Sequence, residues 1–513
     1  MPTVIATCDI VLTTYTARYI HSAFGLRYLY ANLGSLQDKT QLLEFTIQQR
    51  PLDVVERLLA YQPKIIGLSV YIWNVNEITQ TVAMLKEIAP EVIIVLGGPE
   101  VSHYPDLPDV GELADFIIQG AGEISFYQLC DQLLNGLKPL NKIIKGEQVP
   151  LDQLKLPYQL YTEEDIRNRI IYVEASRGCP FKCEFCLSSL DKTAKPFELG
   201  KFLDEMADLY QRGARNFKFI DRTFNLKIAT SIAIMEFFLE RMGPEKENDL
   251  YLHFEVIPDN LPDKLKAVLT RFPPQSLQFE IGVQTFDPEI QALISRRQDN
   301  KKTSENLQWL RENTGAHIHA DLLFGLPQDN LDNFAKSFDR LVKLRPQEIQ
   351  LGILKRLRGA PINRHTENYQ LRYNPLPPYN ILSTQDIDFM TMQRVNRFAR
   401  YWDMVANSGR FPTTLPLILK DQAFKHFMAL SDGLFELTGS TWKIALRRLF
   451  DLIYDVICRI KDTESHETIK QALIVDYQLS GQSGLPQFVQ SPLNLVQKTP
   501  KQGKANKRQQ QHG

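Results

Sequence analysis

The sequence predicts an α/β chain: a parallel sheet domain first, a central series of strand–helix repeats closing into a partial barrel, and a helical C-terminal region. Three observations predict it. Short apolar runs near the start end in glycine clusters, six further strand-like runs alternate with helical stretches from Ile170 on, and apolar residues fall at helical spacing after Asn374. At 513 residues the chain exceeds one ordinary domain, so several cores are expected.

The first region, residues 1–145, reads as strands and helices of an open parallel sheet. Strands are expected at Ile5 to Leu12, Lys64 to Val70, Glu91 to Leu96 and Asp115 to Ile118. The last two run into Gly97-Gly98-Pro99-Glu100 and Gly120-Ala121-Gly122-Glu123. Glycines past strand ends lie where such sheets bind ligands and let the backbone approach a bulky group; they also serve simply as turns.

The second region, residues 165–373, offers strands at Ile170–Ser176, Asn216–Asp221, Leu250–Ile257, Leu277–Gln284, His317–Gly325 and Glu348–Leu354. Six strand–helix units suit a partial barrel rather than the full eight-stranded form, with active groups gathered where strands end. The third region, residues 374–479, is helical, with amphipathic runs at Ile387–Ser408 and Trp442–Ile460; Cys458 falls in the second stripe as a core residue. Residues 480–513 are rich in Gln, Ser, Pro and Lys and read as a disordered basic tail.

Composition sets limits. Basic residues number 59 and acidic residues 60, a formal charge of −1, so no global field invites nucleic acid or an anionic membrane. Six cysteines, three of them clustered, do not form a disulfide framework and suit a reducing compartment, so a cytoplasmic location is expected. Met1-Pro2-Thr3-Val4-Ile5 lacks the basic flank and apolar run of a signal peptide, and no stretch reaches eighteen uninterrupted apolar residues.

The chemistry-bearing motif is Cys179-Pro180-Phe181-Lys182-Cys183-Glu184-Phe185-Cys186, directly after the first strand of the second region. A structural zinc site wants four tetrahedral ligands, and this loop supplies three. Cys8, Cys130 and Cys458 stand far off in sequence. A four-iron cluster takes one thiolate per iron, so three leave one iron open to a non-protein ligand. The alternative is a zinc knuckle completed by His21, His103 or another distant side chain.

The spacing of three residues then two, with Ser176-Arg177-Gly178 before it and Phe185 ahead of the last cysteine, resembles the radical S-adenosylmethionine (SAM) enzymes. The resemblance implies a 4Fe-4S cluster on Cys179, Cys183 and Cys186, SAM on the open iron, and reductive cleavage of SAM. It also implies a partial (β/α)6 radical SAM barrel and SAM contacts from Phe185, Asp221, Arg222, Glu280, Gln284, Gly325 and Lys355. Asp221-Arg222-Thr223-Phe224-Asn225 replaces the superfamily's usual Gly-Gly-Glu; its charged pair would orient the amino acid moiety. Glu280 and Gln284 alternate on one face of a strand, which serves ribose contacts or a polar pair satisfied inside the barrel. Lys355 is read either as a carboxylate partner or as a solvated cation.

A Rossmann-like domain directly before this motif, with Ala17-Arg18-Tyr19-Ile20-His21-Ser22 and Gly25-Leu26-Arg27-Tyr28-Leu29, resembles the cobalamin-binding class of the superfamily, and the C-terminal run resembles a subgroup with an uncharacterised helical region. That likeness implies cobalamin contacts from Arg18, Tyr19, Ser69, Tyr71, Gly97, Gly98, Pro99, Gly120, Gly122 and Glu123. The Asp-x-His-x-x-Gly signature of histidine-ligated relatives is absent, so His21 is not read as a cobalt ligand.

The function expected is methylation or rearrangement at an unactivated carbon of a small-molecule or otherwise unknown substrate, with an electron donor such as flavodoxin or ferredoxin. Methylthiotransferases bring three further cluster cysteines, for which Cys8 and Cys130 are too few. The rival from another class is a non-catalytic zinc- or cobalamin-binding regulatory protein that uses the cysteine loop as a structural clip.

Overall fold

The computed structural model describes residues 7–242, 250–460, 464–484 and 486–489. By compactness the chain divides into two units: Met1–Phe224 with Lys355–Arg364 and Tyr373–Asn380, and Asn225–Leu354 with His365–Arg372 and Ile381–Gly513.

The first unit opens with six parallel strands, β1 (Ile10–Thr16), β2 (Thr40–Thr46), β3 (Ile65–Ser69), β4 (Ile93–Gly97), β5 (Phe116–Gln119) and β6 (Ile143–Lys145), in the order β2-β1-β3-β4-β5-β6. Central strands of a parallel sheet are covered on both faces, and every residue of β1 is accordingly buried. The chain direction across the sheet reverses between β1 and β3, the position at which open α/β sheets leave a crevice beyond their carboxyl ends.

Two expectations are corrected here. The first strand runs from Ile10 to Thr16, not from Ile5 to Leu12, because Thr13-Thr14-Tyr15-Thr16 extends it; of the expected residues, Ile5 and Ala6 lie outside those described. The hydroxyls that make this stretch look like a loop are satisfied internally, Thr14 donating to the Ser69 carbonyl at 2.8 Å and Thr16 to the Phe45 carbonyl at 3.1 Å. The strand β2 was not expected at all. Its Glu44 reads as a surface residue but is buried between Arg27 at 2.9 Å and Arg169 at 2.6 Å, with Asp165 3.0 Å from Arg27. Four buried charges that satisfy one another tolerate burial that none tolerates alone.

The barrel-type strands follow in both units. In the first, β7 (Ile171–Val173) leads into the short hairpin β8 (Ser176–Arg177) and β9 (Lys195–Pro196), and β10 (Asn216–Phe219) pairs with β7 in parallel. In the second, β11 (Tyr251–Glu255), β12 (Leu277–Gln284), β13 (His317–Phe324) and β14 (Glu348–Ile353) pair in parallel, each with the next. The expected α/β class with parallel strand–helix repeats is therefore present.

The C-terminal region is helical as expected, with helices at Phe389–Val405, Thr414–Leu419, Ala423–Thr438, Leu446–Ile460 and Glu464–Leu479. An aromatic core joins it to the helix Leu331–Lys343: the Phe338 ring lies 4.8 Å from Trp402, which lies 4.9 Å from Phe427. The Asn407 amide bonds both the backbone N–H and carbonyl of Ile349 at 3.0 Å, pinning these helices to β14. Trp442, expected inside a helix, precedes it; its ring lies exposed under Arg400 at 4.0 Å. At the start of the expected tail, Phe488 stacks on Tyr454 at 5.0 Å and the Gln487 N–H donates to Asp451 at 2.6 Å. The lysines that make the tail basic, Lys498 to Lys507, lie outside the described residues.

Candidate active site: a cysteine loop beside a strand-end cavity

The cysteine loop hangs from the β8–β9 hairpin, whose rungs pair Ser176 with Pro196 and Arg177 with Lys195. Gly178 turns the chain out of the hairpin at φ +94°, and a Cβ there would stand 2.2 Å from the Thr193 carbonyl oxygen. Only glycine fits both the left-handed backbone and the close approach. The Cys179 N–H then donates to the Asp191 carbonyl at 3.1 Å, and the Cys186 N–H to the Cys183 carbonyl at 3.1 Å. Ser189 closes the far side, its hydroxyl donating to the Cys186 carbonyl at 2.6 Å.

Cys179 is buried, while Cys183 and Cys186 are partly exposed. Burial pushes the Cys179 thiol up, opposed by the Phe181 N–H, while Cys186 and Cys183 push it further and Arg222 pulls it down. A metal that displaces the proton removes this conflict. Among the described residues no three His, Cys, Asp or Glu converge on one point as a single-ion site requires. Three thiolates on one loop are the donor set that a multi-iron cluster would take on separate irons. Cys130 lies fully buried in the first domain's core, where burial raises its thiol; Cys8 donates to the Ile10 carbonyl at 3.3 Å.

Two buried carboxylates anchor the loop. Glu184 meets Arg364 at 2.5 Å, and its carbonyl accepts the Ile362 N–H at 2.9 Å. The same Lys355–Arg364 segment reaches the loop after β4, with Arg358 on Glu100 at 2.9 Å and Arg356 on Asp106 at 2.7 Å. Asp221, at the end of β10, accepts from the Ala175 N–H at 3.0 Å and the Ser176 hydroxyl at 2.6 Å. Burial raises its carboxyl to about 7 despite these bonds.

A cavity of about 810 Å³ lies within the first unit at the carboxyl ends of its sheet. The switch-point strands supply Thr14, Thr16, Ser69 and Tyr71; the glycine turns supply Gly97, Gly98, Gly120 and Gly122. Gly98 stands at φ +101°, where a Cβ would sit 2.6 Å from the Val70 carbonyl oxygen, and Gly120 at φ +82° presents bare backbone to open space. Tyr71 and Trp73 form a stacked aromatic pair, centroids 4.4 Å apart, on the wall. The opposite wall comes from the cysteine-loop region: Tyr172, Glu174, Arg177, Asp191 and Lys195.

Of the positions expected around cobalamin, Ser69, Tyr71, Gly97, Gly98, Gly120, Gly122 and Glu123 line this cavity. Arg18, Tyr19 and Pro99 are not among its lining residues. Tyr19 is exposed, its hydroxyl 2.5 Å from Glu164 and its ring 4.5 Å from the Arg169 guanidinium; Pro99 begins a short 3-10 turn. His21 does line the cavity, with Nδ1 2.7 Å from the Tyr172 hydroxyl, and burial lowers its pKa.

The positions expected around SAM divide between the units. Phe185, Asp221, Arg222 and Lys355 belong to the first, where Asp221 is turned inward and Arg222 is exposed; the two were expected to act as an adjacent charged pair. Glu280, Gln284 and Gly325 belong to the second. Glu280 meets His253 at 3.0 Å. Gln284 follows a bulge at φ +68°, and its amide lies where a Cβ of Gly282 would stand, 2.7 Å away. Gly325 turns at φ +90° with Ile381 against it.

Sequence reasoning passed over the cavity's far wall. Arg177 was read only as motif context, and Tyr172, Glu174, Asp191 and Lys195 not at all. The one signal available was their adjacency to the cysteines.

Three protein families match successive stretches of the chain. The B12 binding domain family matches residues 10–129, the Radical SAM superfamily residues 173–341, and a protein family of unknown function (DUF4080) residues 367–512. The chain is 26% identical over 206 residues to an uncharacterized methyltransferase, PH0819, of Pyrococcus horikoshii, covering 36% of this chain and 44% of that protein. It is 23% identical over 357 residues to the cobalamin-dependent radical SAM methyltransferase TokK of Streptomyces tokunonensis, covering 62% and 51%. The chain thus spans about half the length of these curated relatives. Among solved structures, the cobalamin-dependent SAM radical enzyme OxsB superposes with a TM-score of 0.61 at 13% identity, over 92% of this chain and 84% of that one. Among the described residues no helix is long and apolar enough to cross a membrane. The chain thus carries, in order, a B12 binding domain, a Radical SAM domain that holds the cysteine loop, and a DUF4080 region.

Proposed function

We propose that this protein is a cobalamin-dependent radical SAM methyltransferase acting on an unactivated carbon of a small-molecule substrate. One observation carries the reading: the strand-end cavity of the first domain and the base of the cysteine loop share a wall, Tyr172, Glu174, Arg177, Asp191 and Lys195. A cofactor filling that cavity would lie against the residues that carry the cysteine loop, on which Cys179, Cys183 and Cys186 would hold a cluster.

The cofactors supply the difficult chemistry, a carbon-centred radical and a transferable methyl group, and the protein supplies position and a water-poor setting. Gly98 and Gly120 let a flat macrocycle approach the backbone, and the Tyr71–Trp73 pair offers it an aromatic face. Glu123 and Arg177, both lining the cavity and paired with each other, would offer hydrogen-bond partners to the amide side chains of such a ring. Phe185, Arg222 and Lys355 of the first unit are assigned to SAM, and Asp221 acts through the Ser176 hydroxyl that it holds.

A low-potential one-electron donor such as flavodoxin or ferredoxin completes the system, and a cytoplasmic setting fits its free thiols. The relatives named as methyltransferases support methyl transfer over rearrangement. Anaerobic reconstitution with iron, sulfide and hydroxocobalamin tests the reading. The expected result is a SAM-responsive cluster, bound cobalamin and formation of 5′-deoxyadenosine on reduction. Tight zinc binding with neither cluster nor cobalamin uptake would reject it in favour of a structural clip.

A further inference from the structure

The chain that leaves β6 crosses the strand-end cavity before it reaches the cysteine-bearing strands. β6 ends at Lys145, and Glu147, Gln148, Val149, Leu151 and Leu154 beyond it all line the cavity.

Both ends of this crossing are fixed. At the near end the Gly146 N–H donates to the Gln119 carbonyl at 2.8 Å and the Glu147 N–H to the Ser125 hydroxyl at 2.8 Å, while the Gln128 amide donates to the Glu147 carboxylate at 3.2 Å. Gly146 lies so close to the turn after β5 that a Cβ there would stand 1.9 Å from the Ala121 carbonyl oxygen. At the far end the Asn32 side chain grips the Lys155 backbone twice, accepting its N–H at 2.9 Å and donating to its carbonyl at 3.1 Å. Asn32 is itself tied to the helix Phe24–Ala31, donating to the Tyr28 carbonyl at 2.9 Å.

Between these anchors the chain is held differently. Among the described residues, the hydrogen bonds of Gln148–Leu154 are internal, the Gln153 N–H to the Pro150 carbonyl at 3.1 Å and the Leu154 N–H to the Leu151 carbonyl at 3.3 Å. The segment is seated by apolar contact instead. Val149 and Leu151 are half-buried and Leu154 is buried, whereas Gln148, Pro150, Asp152 and Gln153 are exposed. Few buried apolar contacts and a backbone bonded largely to water mark the parts of a protein that open at low cost. The cavity's other walls include strand ends, the helix Phe24–Ala31 and the β8–β9 hairpin, each hydrogen-bonded into regular structure. The crossing is therefore the wall that yields first.

We infer that Gln148–Leu154 is a lid that lifts to admit the cofactor to the cavity and closes over it, with Gly146 and Asn32 marking its fixed points. The inference rests on the function proposed above and deepens it, because it concerns how that cofactor is admitted and retained. Lifting puts Val149 and Leu151 in water, so the lid lies down most of the time and exchange is slow.

Stopped-flow absorbance with hydroxocobalamin and limited chymotrypsin cleavage after Leu151 test it on the full chain. Asn32→Ala frees the far anchor and Ser125→Ala the near one; far-UV circular dichroism shows which variants are folded. Each should raise the association and dissociation rate constants together by about fivefold, the change that one lost hydrogen bond makes in an opening equilibrium. The Kd should move far less. A residue that only supports the fold would not speed association. Bound hydroxocobalamin should slow cleavage after Leu151 severalfold, and either variant should speed it in unliganded protein. In a wild type that binds hydroxocobalamin, unchanged association in both variants or no protection at Leu151 overturns the inference. A wild type that binds none rejects the proposed function instead, and the lid then stands or falls on whether either variant speeds the cleavage of unliganded protein.

Discussion

Arg177 lies 2.6 Å from Glu123, and the same guanidinium is bidentate on Glu174 at 3.0 Å for each contact. Glu123 opens the helix that follows the β5 glycine turn, and Arg177 stands two residues before Cys179. One side chain thus ties the cavity to the cysteine loop, with the Tyr28 ring 4.8 Å from its guanidinium as a backing. Removing one partner of a pair this well buried strands the other charge. Arg177→Ala should cost about 2–3 kcal/mol in denaturant unfolding and lower both cobalamin and iron uptake. Glu123→Gln should lower cobalamin uptake more than iron, because the Glu174 pair remains. Equal losses of both cofactors in Glu123→Gln would show that the contact does not act through the cavity.

Gly178→Ala is the sharpest probe of the loop. The added methyl would meet the Thr193 carbonyl at 2.2 Å, and the backbone at φ +94° disfavours any side chain. A left-handed residue under steric clash costs on the order of 1–3 kcal/mol. The hairpin should open locally, so iron bound after reconstitution should fall severalfold while far-UV circular dichroism changes little.

How much of this was legible in the sequence depends on whether the signal was local. The cysteine spacing, the glycine turns after β4 and β5 and the strands β11 to β14 are short-range patterns, and they could be read directly. The strand β2 was invisible because Glu44 looks like a surface residue until Arg27, Arg169 and Asp165 arrive from elsewhere in the chain. The same limit hid the far wall of the cavity. Tyr172, Glu174 and Lys195 acquire a role only when β7 and the β8–β9 hairpin are brought to the first sheet's carboxyl ends, a long-range fact that no spacing encodes. Asp221 and Arg222 are adjacent in sequence, yet one is buried and the other exposed.

The cysteines outside the loop should behave as core residues. Cys130→Ala removes a buried sulfur among Leu26, Phe126 and Leu129 and should cost about 1–2 kcal/mol by cavity formation. Its reconstituted iron content should match the wild type. Cys183→Ala should do the reverse, with near-normal unfolding of the apoprotein and no SAM-responsive cluster. Electron paramagnetic resonance of the reduced proteins, read beside denaturation curves, distinguishes the two patterns.

Asp329 gives the second unit a pH signature. Its side chain is buried beneath the turn after β13, accepting from the Asn330 N–H at 3.0 Å and from the Gly325 N–H, and burial raises its carboxyl to about 8. The folded value thus lies above the unfolded one, so below about pH 4 both states are protonated and the stabilisation is complete. Between about 4 and 8 the unfolded chain releases the proton while the folded one keeps it, and stability falls as pH rises, by up to about 1.4 kcal/mol per unit for this group. Above the folded value the loss is complete. Asp329→Asn keeps the shape and cannot ionise, so its stability should exceed the wild type's by a margin that grows from pH 5 to pH 8. Urea unfolding of both proteins at several pH values across that window measures the margin; a constant difference would mean that Asp329 stays ionised in the fold.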